Sequence, residues 1–388
     1  MLAWACAAVW LVPLLVIAVL TALDPVKHSV TPVYHVASEN WWAGKNLFGW
    51  ELRRFHYLPV FAVLFSPLHL LPQPAGDILW RFLSTGLLAA GIWRLLRQQT
   101  GTAAGRAFFL TSLLILPLCL GAMRNGQANT IFAGLLLHGF ACIPERRWWL
   151  SAAFLAAGVA VKPLGMVPVL LAACVYAPLR WRCLVALAAL ALLPFLFATP
   201  KYVVAQHGAF LKSLQAADSV ITEHRFADIN GIIRTFGAEL PESASKLVRV
   251  LAGGSTLILC LAGTRRLREP LRALWVLTLA AGYLMLFNPM TESNSYVIFA
   301  PMLGIWAILA SNREKGRIPA CGIIIATLSM GFLPTLLRPL FGNLFSLFWY
   351  PLMTAVFLCA LVYFLLGADG PFSDRPESES QDPAGRIS

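Results

Sequence analysis

Long apolar runs alternate with short polar junctions along most of the chain, and the junctions are of two kinds. One kind is basic: Arg94 and Arg97, Arg146 and Arg147, Arg180 and Arg182, Arg265 to Arg272, and Arg313 to Arg317. The other kind carries hydrogen-bonding islands: Arg124-Asn125-Gly126-Gln127-Ala128-Asn129, Lys162-Pro163, and Asn288-Pro289-Met290-Thr291-Glu292-Ser293-Asn294. The two kinds alternate. Short basic loops mark the cytoplasmic side of a membrane, so the islands share the opposite side.

This pattern predicts an all-α polytopic membrane protein with about twelve transmembrane helices. The spans fall near 3–23, 76–96, 107–123, 128–143, 148–161, 164–178, 183–199, 247–263, 273–288, 295–310, 318–336 and 344–367. With the N-terminus inside, every basic loop and the C-terminus are cytoplasmic. The first span has no basic leader and no clear cleavage site, which fits a retained helix better than a removed signal peptide. Tyr57 to Pro72 is apolar but about 16 residues long and carries three prolines, and a crossing there would export Arg94, Arg97 and Arg106. It is therefore expected as an interfacial or re-entrant helix near 57–72. Pro163 interrupts a stretch that is basic at both ends, so two short helices should meet near Lys162. Residues 1–367 are expected as a single transmembrane domain with long outer loops at 24–56 and 200–246. The polar tail 368–388, rich in Asp, Glu, Ser and Pro, is expected to be disordered.

Composition agrees with the pattern. Hydrophobic residues make up 59% of the 388 and charged residues only 12%, too apolar for a soluble domain of this size. The net charge of +12 sits largely in the short loops, so the inside bias accounts for it and no nucleic acid is implied. The eight cysteines lie in or beside apolar runs with no metal-ligand spacing, which predicts neither a disulfide framework nor a metal site.

The candidate chemistry lies on the outer side. Lys162 stands in the apolar stretch Ala156–Val161, where a charge costs roughly 2.5–3.5 kcal/mol on insertion scales. It is either a lysine reaching the interface or a cation for a phosphate-bearing ligand. The Arg124–Asn129 island is either a self-satisfied turn or a sugar- and phosphate-binding one, since amides match hydroxyls and Arg matches phosphate. Glu292 is the one acid of the late island, able to pair with Lys162 or Arg124 or to bind hydroxyls. The first outer loop holds Asp24, Glu39 and Glu51 among aromatics that include Trp41, Trp42 and Trp50, a composition suited to a surface-lying amphipathic segment. Its acids are candidate general bases, Asp24 held most rigidly because it lies between a span and Pro25. The second outer loop mixes His207, Asp218, Glu223, His224, Arg225, Asp228 and Asn230 with apolar residues.

At these positions the chain resembles glycosyltransferase family 87, also called DUF2029, of the GT-C superfamily. The resemblance rests on Tyr34-His35-Val36-Ala37, Trp42-Ala43-Gly44-Lys45-Asn46-Leu47-Phe48, Phe55-His56-Tyr57-Leu58-Pro59 and Ser66-Pro67-Leu68-His69-Leu70-Leu71-Pro72. Asn125-Gly126-Gln127-Ala128-Asn129, Ala160-Val161-Lys162-Pro163 and Asn288-Pro289 complete it, so that it covers about residues 24–300. It implies a GT-C-like bundle that moves a sugar, mannose by analogy, from a polyprenyl-phosphate donor to a lipid or glycan acceptor. Transfer would take place on the extracytoplasmic face of a bacterial cell membrane, without a metal or other cofactor. It also implies a catalytic acid shortly before the Tyr-x-x-Ala element, where this chain has Lys27-His28-Ser29-Val30-Thr31-Pro32-Val33 and no acid.

The combined expectation places Asp24, Glu39 or Glu292 as base. Lys162, Arg124, Asn125, Gln127, Asn129, Tyr34, Asn288 and Asn294 are the expected substrate-binding residues. Two other classes remain open: a transporter or flippase of a lipid-linked or small polar substrate, and a non-catalytic relative that binds polyprenyl lipid. A transporter site would have to open to both faces, whereas the islands share one.

Overall fold

The computed structural model describes residues 2–48, 55–220 and 226–366, without the side chains of 216–220 and 366. Trp50, Glu51, Glu223, His224, Arg225 and the tail 368–388 lie outside the described residues, as does the side chain of Asp218.

Among the described residues the regular structure is entirely helical. The chain runs through α1 (Leu2–Leu23), α2 (Thr31–Trp42), α3 (Pro59–His69), α4 (Gln73–Thr100), α5 (Ala104–Arg124) and α6 (Ala128–Ala141). It continues through α7 (Trp148–Val161), α8 (Met166–Val175), α9 (Leu179–Leu192), α10 (Pro200–Val220), α11 (Ile229–Thr235) and α12 (Glu242–Arg266). The last helices are α13 (Leu271–Phe287), α14 (Ala300–Ser311), α15 (Arg317–Leu336), α16 (Arg338–Phe341) and α17 (Leu344–Leu366).

The twelve expected apolar segments correspond to α1, α4 to α9, α12 to α15, and α17. Six stretches are long and apolar enough to cross a membrane: Leu2–Leu23, Gln73–Arg124, Leu179–Leu196, Glu242–Arg266, Glu314–Leu336 and Leu344–Leu365. Gln73–Arg124 folds as two helices, α4 and α5, joined by a single 3-10 turn and packed side by side. The shorter apolar helices α6, α7, α8, α13 and α14 complete a polytopic membrane protein. α13 and α14 bury nearly every side chain, whereas α9 buries only Leu179 and Cys183 and α12 only Ser245, Cys260 and Gly263. The first pair is therefore the protein core, and the apolar outer faces of α9 and α12 suit lipid. α4 and α6 approach closely at two glycines: a Cβ on Gly134 would lie 2.8 Å from the Leu87 backbone, and one on Gly91 2.7 Å from Leu137 Cβ.

One expected span starts later than its hydropathy suggests. The segment near 295–310 opens with a 3-10 turn, Ser293–Ile298, and α14 begins only at Ala300. The reason is a reciprocal cap: the Glu292 side chain accepts from the Ser295 amide while the Ser295 hydroxyl accepts from the Glu292 amide. The segment near 57–72 is one short helix, α3, started by Pro59 at its first turn. At 11 residues it is too short to cross.

The two kinds of junction gather separately. Three basic junctions meet through side chains. Arg94 Nε donates to Glu145 Oε1 at 3.1 Å, Arg147 Nε lies 3.4 Å from Glu145 Oε2, and the Arg182 guanidinium covers the Trp181 and Trp149 rings. The two long segments between spans, 24–56 and 200–246, also meet. Leu47 N–H donates to Gln206 Oε1 at 2.9 Å, Tyr202 OH donates to Lys45 O at 2.6 Å, and the Trp41 and Tyr202 rings stand 5.2 Å apart.

Candidate active site

The islands begin as ordinary helix-end chemistry. α5 ends at Arg124, and Gly126 makes the turn into α6 with φ +61°, a conformation that side chains resist. A Cβ there would also meet Thr31 Cγ2 at 2.8 Å and Arg81 Cζ at 3.1 Å, so α2 and α4 close over the turn. Trp80 Nε1 donates to Gly126 O at 2.8 Å, and Arg81 donates to Arg124 O through both Nε and Nη2. Val30 N–H donates to Asn125 O at 2.9 Å. With its backbone held this way, the turn leaves its side chains for other work.

Gln127 Nε2 donates to Glu292 Oε2 at 3.2 Å, and Asn129 Nδ2 donates to Gln127 Oε1 at 2.8 Å and to Ser295 Oγ at 3.4 Å. The early and late islands, over 160 residues apart in sequence, form one hydrogen-bonded surface. Asn129 is buried, and its Oδ1 has no protein partner among the described residues. Lys162 lies in the break between α7 and α8 with an extended backbone, φ −144° and ψ 124°, and is half-buried. Glu292 is near enough for its carboxylate to act on the Lys162 ammonium, although the two form no ion pair within 4 Å. Tyr34 joins from α2: its hydroxyl accepts from Ala128 N–H at 3.2 Å and bonds the Tyr57 hydroxyl at 2.9 Å. Burial pushes Tyr34 up to about 12 and Tyr57 well above the usual phenol value, so both remain hydroxyls at neutral pH.

The structure thus brings Tyr34, Gln127, Asn129, Lys162 and Glu292 together. Arg124 and Asn125 sit beside them, half-buried, their side chains making no hydrogen bond among the described residues. Asn294 borders the group, its Oδ1 where a Cβ on Gly121 would lie only 2.3 Å away. Other expected residues are elsewhere. Asn288 donates to Thr291 Oγ1 at 3.1 Å in a local turn after α13. Asp24 is exposed and accepts from the amides of Val26 and Lys27, closing its own turn. Glu39 is exposed on α2, with its charge acting on His69.

Three groups of this neighbourhood were not among the expected site residues. His56 is half-buried with an unpartnered Nδ1, and burial together with the Lys162 charge pulls its imidazole below the usual value. Asp77 and Arg81, 0% and 2% exposed, lie within the first three turns of α4. Their signal was present in sequence: two charges four residues apart inside an apolar helix, where each must find a partner.

The model for glycosyltransferase family 87 matches residues 55–289, more than half of the chain. The chain belongs to glycosyltransferase family 87. The match takes in His56, Asp77, Arg81, the 124–129 turn and Lys162, and stops just before Glu292. A curated relative, the polyprenol-phosphate-mannose-dependent alpha-(1-2)-phosphatidylinositol pentamannoside mannosyltransferase of Mycolicibacterium smegmatis, is 34% identical over 116 residues. That alignment covers 28% of this family 87 chain and 27% of the relative, so the chain spans about a quarter of the relative it matches. No solved structure matches the chain.

Proposed function

We propose that this family 87 protein is a GT-C-type membrane glycosyltransferase that takes a sugar, mannose first among candidates, from a polyprenyl phosphate and passes it to a lipid or glycan hydroxyl. The observation that carries the reading is the convergence of one cation, one acid and two amides on a single surface: Lys162, Glu292, Gln127 and Asn129. The family membership and the mannosyltransferase relative support the donor class. The alternating basic junctions support an extracytoplasmic site with both termini inside.

The chemistry follows from the charges. The acceptor oxygen attacks the anomeric carbon as the carbon–oxygen bond to phosphate breaks, and the phosphate leaves with the electron pair. Lys162, with Arg124 at the start of the early island, offsets the charge that grows on that phosphate. Side-chain cations rather than a metal carry this task. Glu292 takes the acceptor proton, its carboxylate held in place by the Gln127 amide and the Ser295 backbone N–H. Asn129 Oδ1 is left as an acceptor for a sugar hydroxyl. Glu292 suits the base role better than Asp24 or Glu39, because of the three acids it alone acts on Lys162 through its charge.

The test incubates purified protein with polyprenyl-phospho-mannose and a membrane glycolipid extract. Sugar transfer to lipid is the expected result. Donor binding without transfer would replace this reading with that of a polyprenyl-lipid-binding relative.

A further inference from the structure

A second polar group lies outside the donor surface, where α2, α3 and α4 meet. Asp77 is fully buried, and its Oδ2 has no partner among the described residues. Its Oδ1 lies 3.0 Å from His35 Nε2. On the other side of that imidazole, His35 Nδ1 faces His69 Nδ1 at 3.3 Å. Phe65 holds the His35 ring edge-on at 5.1 Å.

The proton count along this chain is restricted. A buried carboxylate with no other donor takes the His35 Nε2–H. A neutral His35 then has a bare Nδ1, which accepts from His69 Nδ1–H. The facing nitrogens hold one proton between them; one added proton is still accommodated, with His35 donating from both nitrogens and His69 as its Nε2–H tautomer, and only protonation of both rings sets two N–H groups head to head and two cations side by side. The other charges nearby are few. Glu39, one turn beyond His35 on α2, acts on His69 from the exposed side. Arg81, one turn beyond Asp77, spends its guanidinium on Arg124 O, Ser29 Oγ and Asp77 O.

The position of this chain gives it a task. His35 adjoins Tyr34, whose hydroxyl receives the Ala128 amide at the donor surface. We propose that Asp77, His35 and His69 form a proton-dependent strap that positions α2, and with it Tyr34, against the 124–129 turn. Protonation of both imidazoles releases the strap. Its catalytic consequence rests on the function proposed above; its structural consequence does not.

Burial and the neighbouring His35 pull His69 below the usual imidazole value. Folding therefore favours the neutral ring. The strap is whole above the ordinary histidine value of about 6.5 and is lost as pH falls through the lowered one.

Hydrogen exchange of the Thr31–Trp42 segment in lipid nanodiscs, corrected for the intrinsic pH dependence, tests this. Wild type should lose about tenfold protection in this segment below about pH 6. His69→Gln, whose amide donates without titrating, should keep protection across the range, and His69→Phe should lack it at every pH. Flat wild-type protection, or identical behaviour of the two variants, would overturn the strap. In parallel, His69→Gln should remove the histidine-range part of the acidic decline in transfer and leave only the decline that a carboxylate base imposes at lower pH; an acidic decline unchanged by that variant counts against the strap's role in activity. A wild type without transfer at any pH would instead overturn the proposed enzymatic function and leave the exchange result to decide the strap.

Discussion

Two groups of charges in this apolar protein are handled in opposite ways. In α4, Arg81 is 2% exposed and directs its donors to Arg124 O, Ser29 Oγ and Asp77 O. At the α7–α8 break, Lys162 is half-buried and makes no hydrogen bond or ion pair among the described residues. Both charges bear a cost in a low-dielectric setting. Arg81 recovers it within the protein by holding a turn. The donors of Lys162 remain open to a ligand. A buried charge that is fully bonded builds the fold, and one left open beside an acid is the better candidate for chemistry.

The strongest test of this contrast exchanges each cation for methionine. Lys162→Met should reduce transfer by on the order of 10²–10³-fold, with thermal stability nearly unchanged because no protein acceptor is orphaned. Arg81→Met should instead cost roughly 3–5 kcal/mol by stranding buried acceptors, seen as loss of monodisperse protein or a lowered Tm. Comparable Tm losses in both variants would erase the distinction.

Next come the acids. Glu292→Gln keeps an oxygen able to accept from Gln127 and the Ser295 amide, so its placement should survive while transfer falls about 10²–10⁴-fold. Donor binding, measured with labelled polyprenyl phosphate, should persist. Asp24→Asn and Glu39→Gln should stay within about twofold of wild type. A large loss at Asp24 with Glu292→Gln active would move the base to the segment between α1 and α2.

Gly126 links the two groups, since Arg81 and Thr31 both press on it. Gly126→Ala should cost about 1–3 kcal/mol from its positive φ alone, with a drop in transfer because Gln127 and Asn129 follow the turn. Stability and transfer should fall together, unlike in Lys162→Met.

The smallest effect lies far from both. Asp228 caps α11 by accepting from Gly231 N–H at 2.9 Å, yet burial pushes its carboxyl up to about 6. An acid raised in the fold contributes stability below its unfolded value, and that contribution is lost as pH rises through about 6. The 226–235 segment should therefore exchange more slowly near pH 4 than near pH 7 after the same correction. Asp228→Asn, neutral but still an acceptor, should flatten that dependence, while Asp228→Ala should cost about 1 kcal/mol through loss of the cap.

Much of the helical layout was legible because it depends on local quantities. Apolar length, Pro59 and Pro163 place helix starts and breaks, and the α7–α8 corner lies where Pro163 denies a continuous helix. Long-range pairing was not legible. Asn288 and Asn294 belong to the same island, yet one closes a local turn and the other reaches α5. Asp24 looked well placed in sequence, but its carboxylate is occupied by its own turn. Asp77 and Arg81 were hidden by the hydropathy of the α4 run, whose average conceals two charges.

The amino-acid sequence alone determined that this chain is a polytopic helical membrane protein with two alternating sorts of junction. Hydrophobic length, proline and loop charge act within a few residues of themselves, so they need no tertiary context. Only the tertiary structure decided which polar groups meet. It set Glu292 against Gln127 and within reach of the Lys162 charge, left Glu39 exposed on α2, and buried Asp77 against His35. Those outcomes depend on how α2, α4, α5 and the late island pack, because helices far apart in sequence must first agree on one arrangement before their end groups can touch.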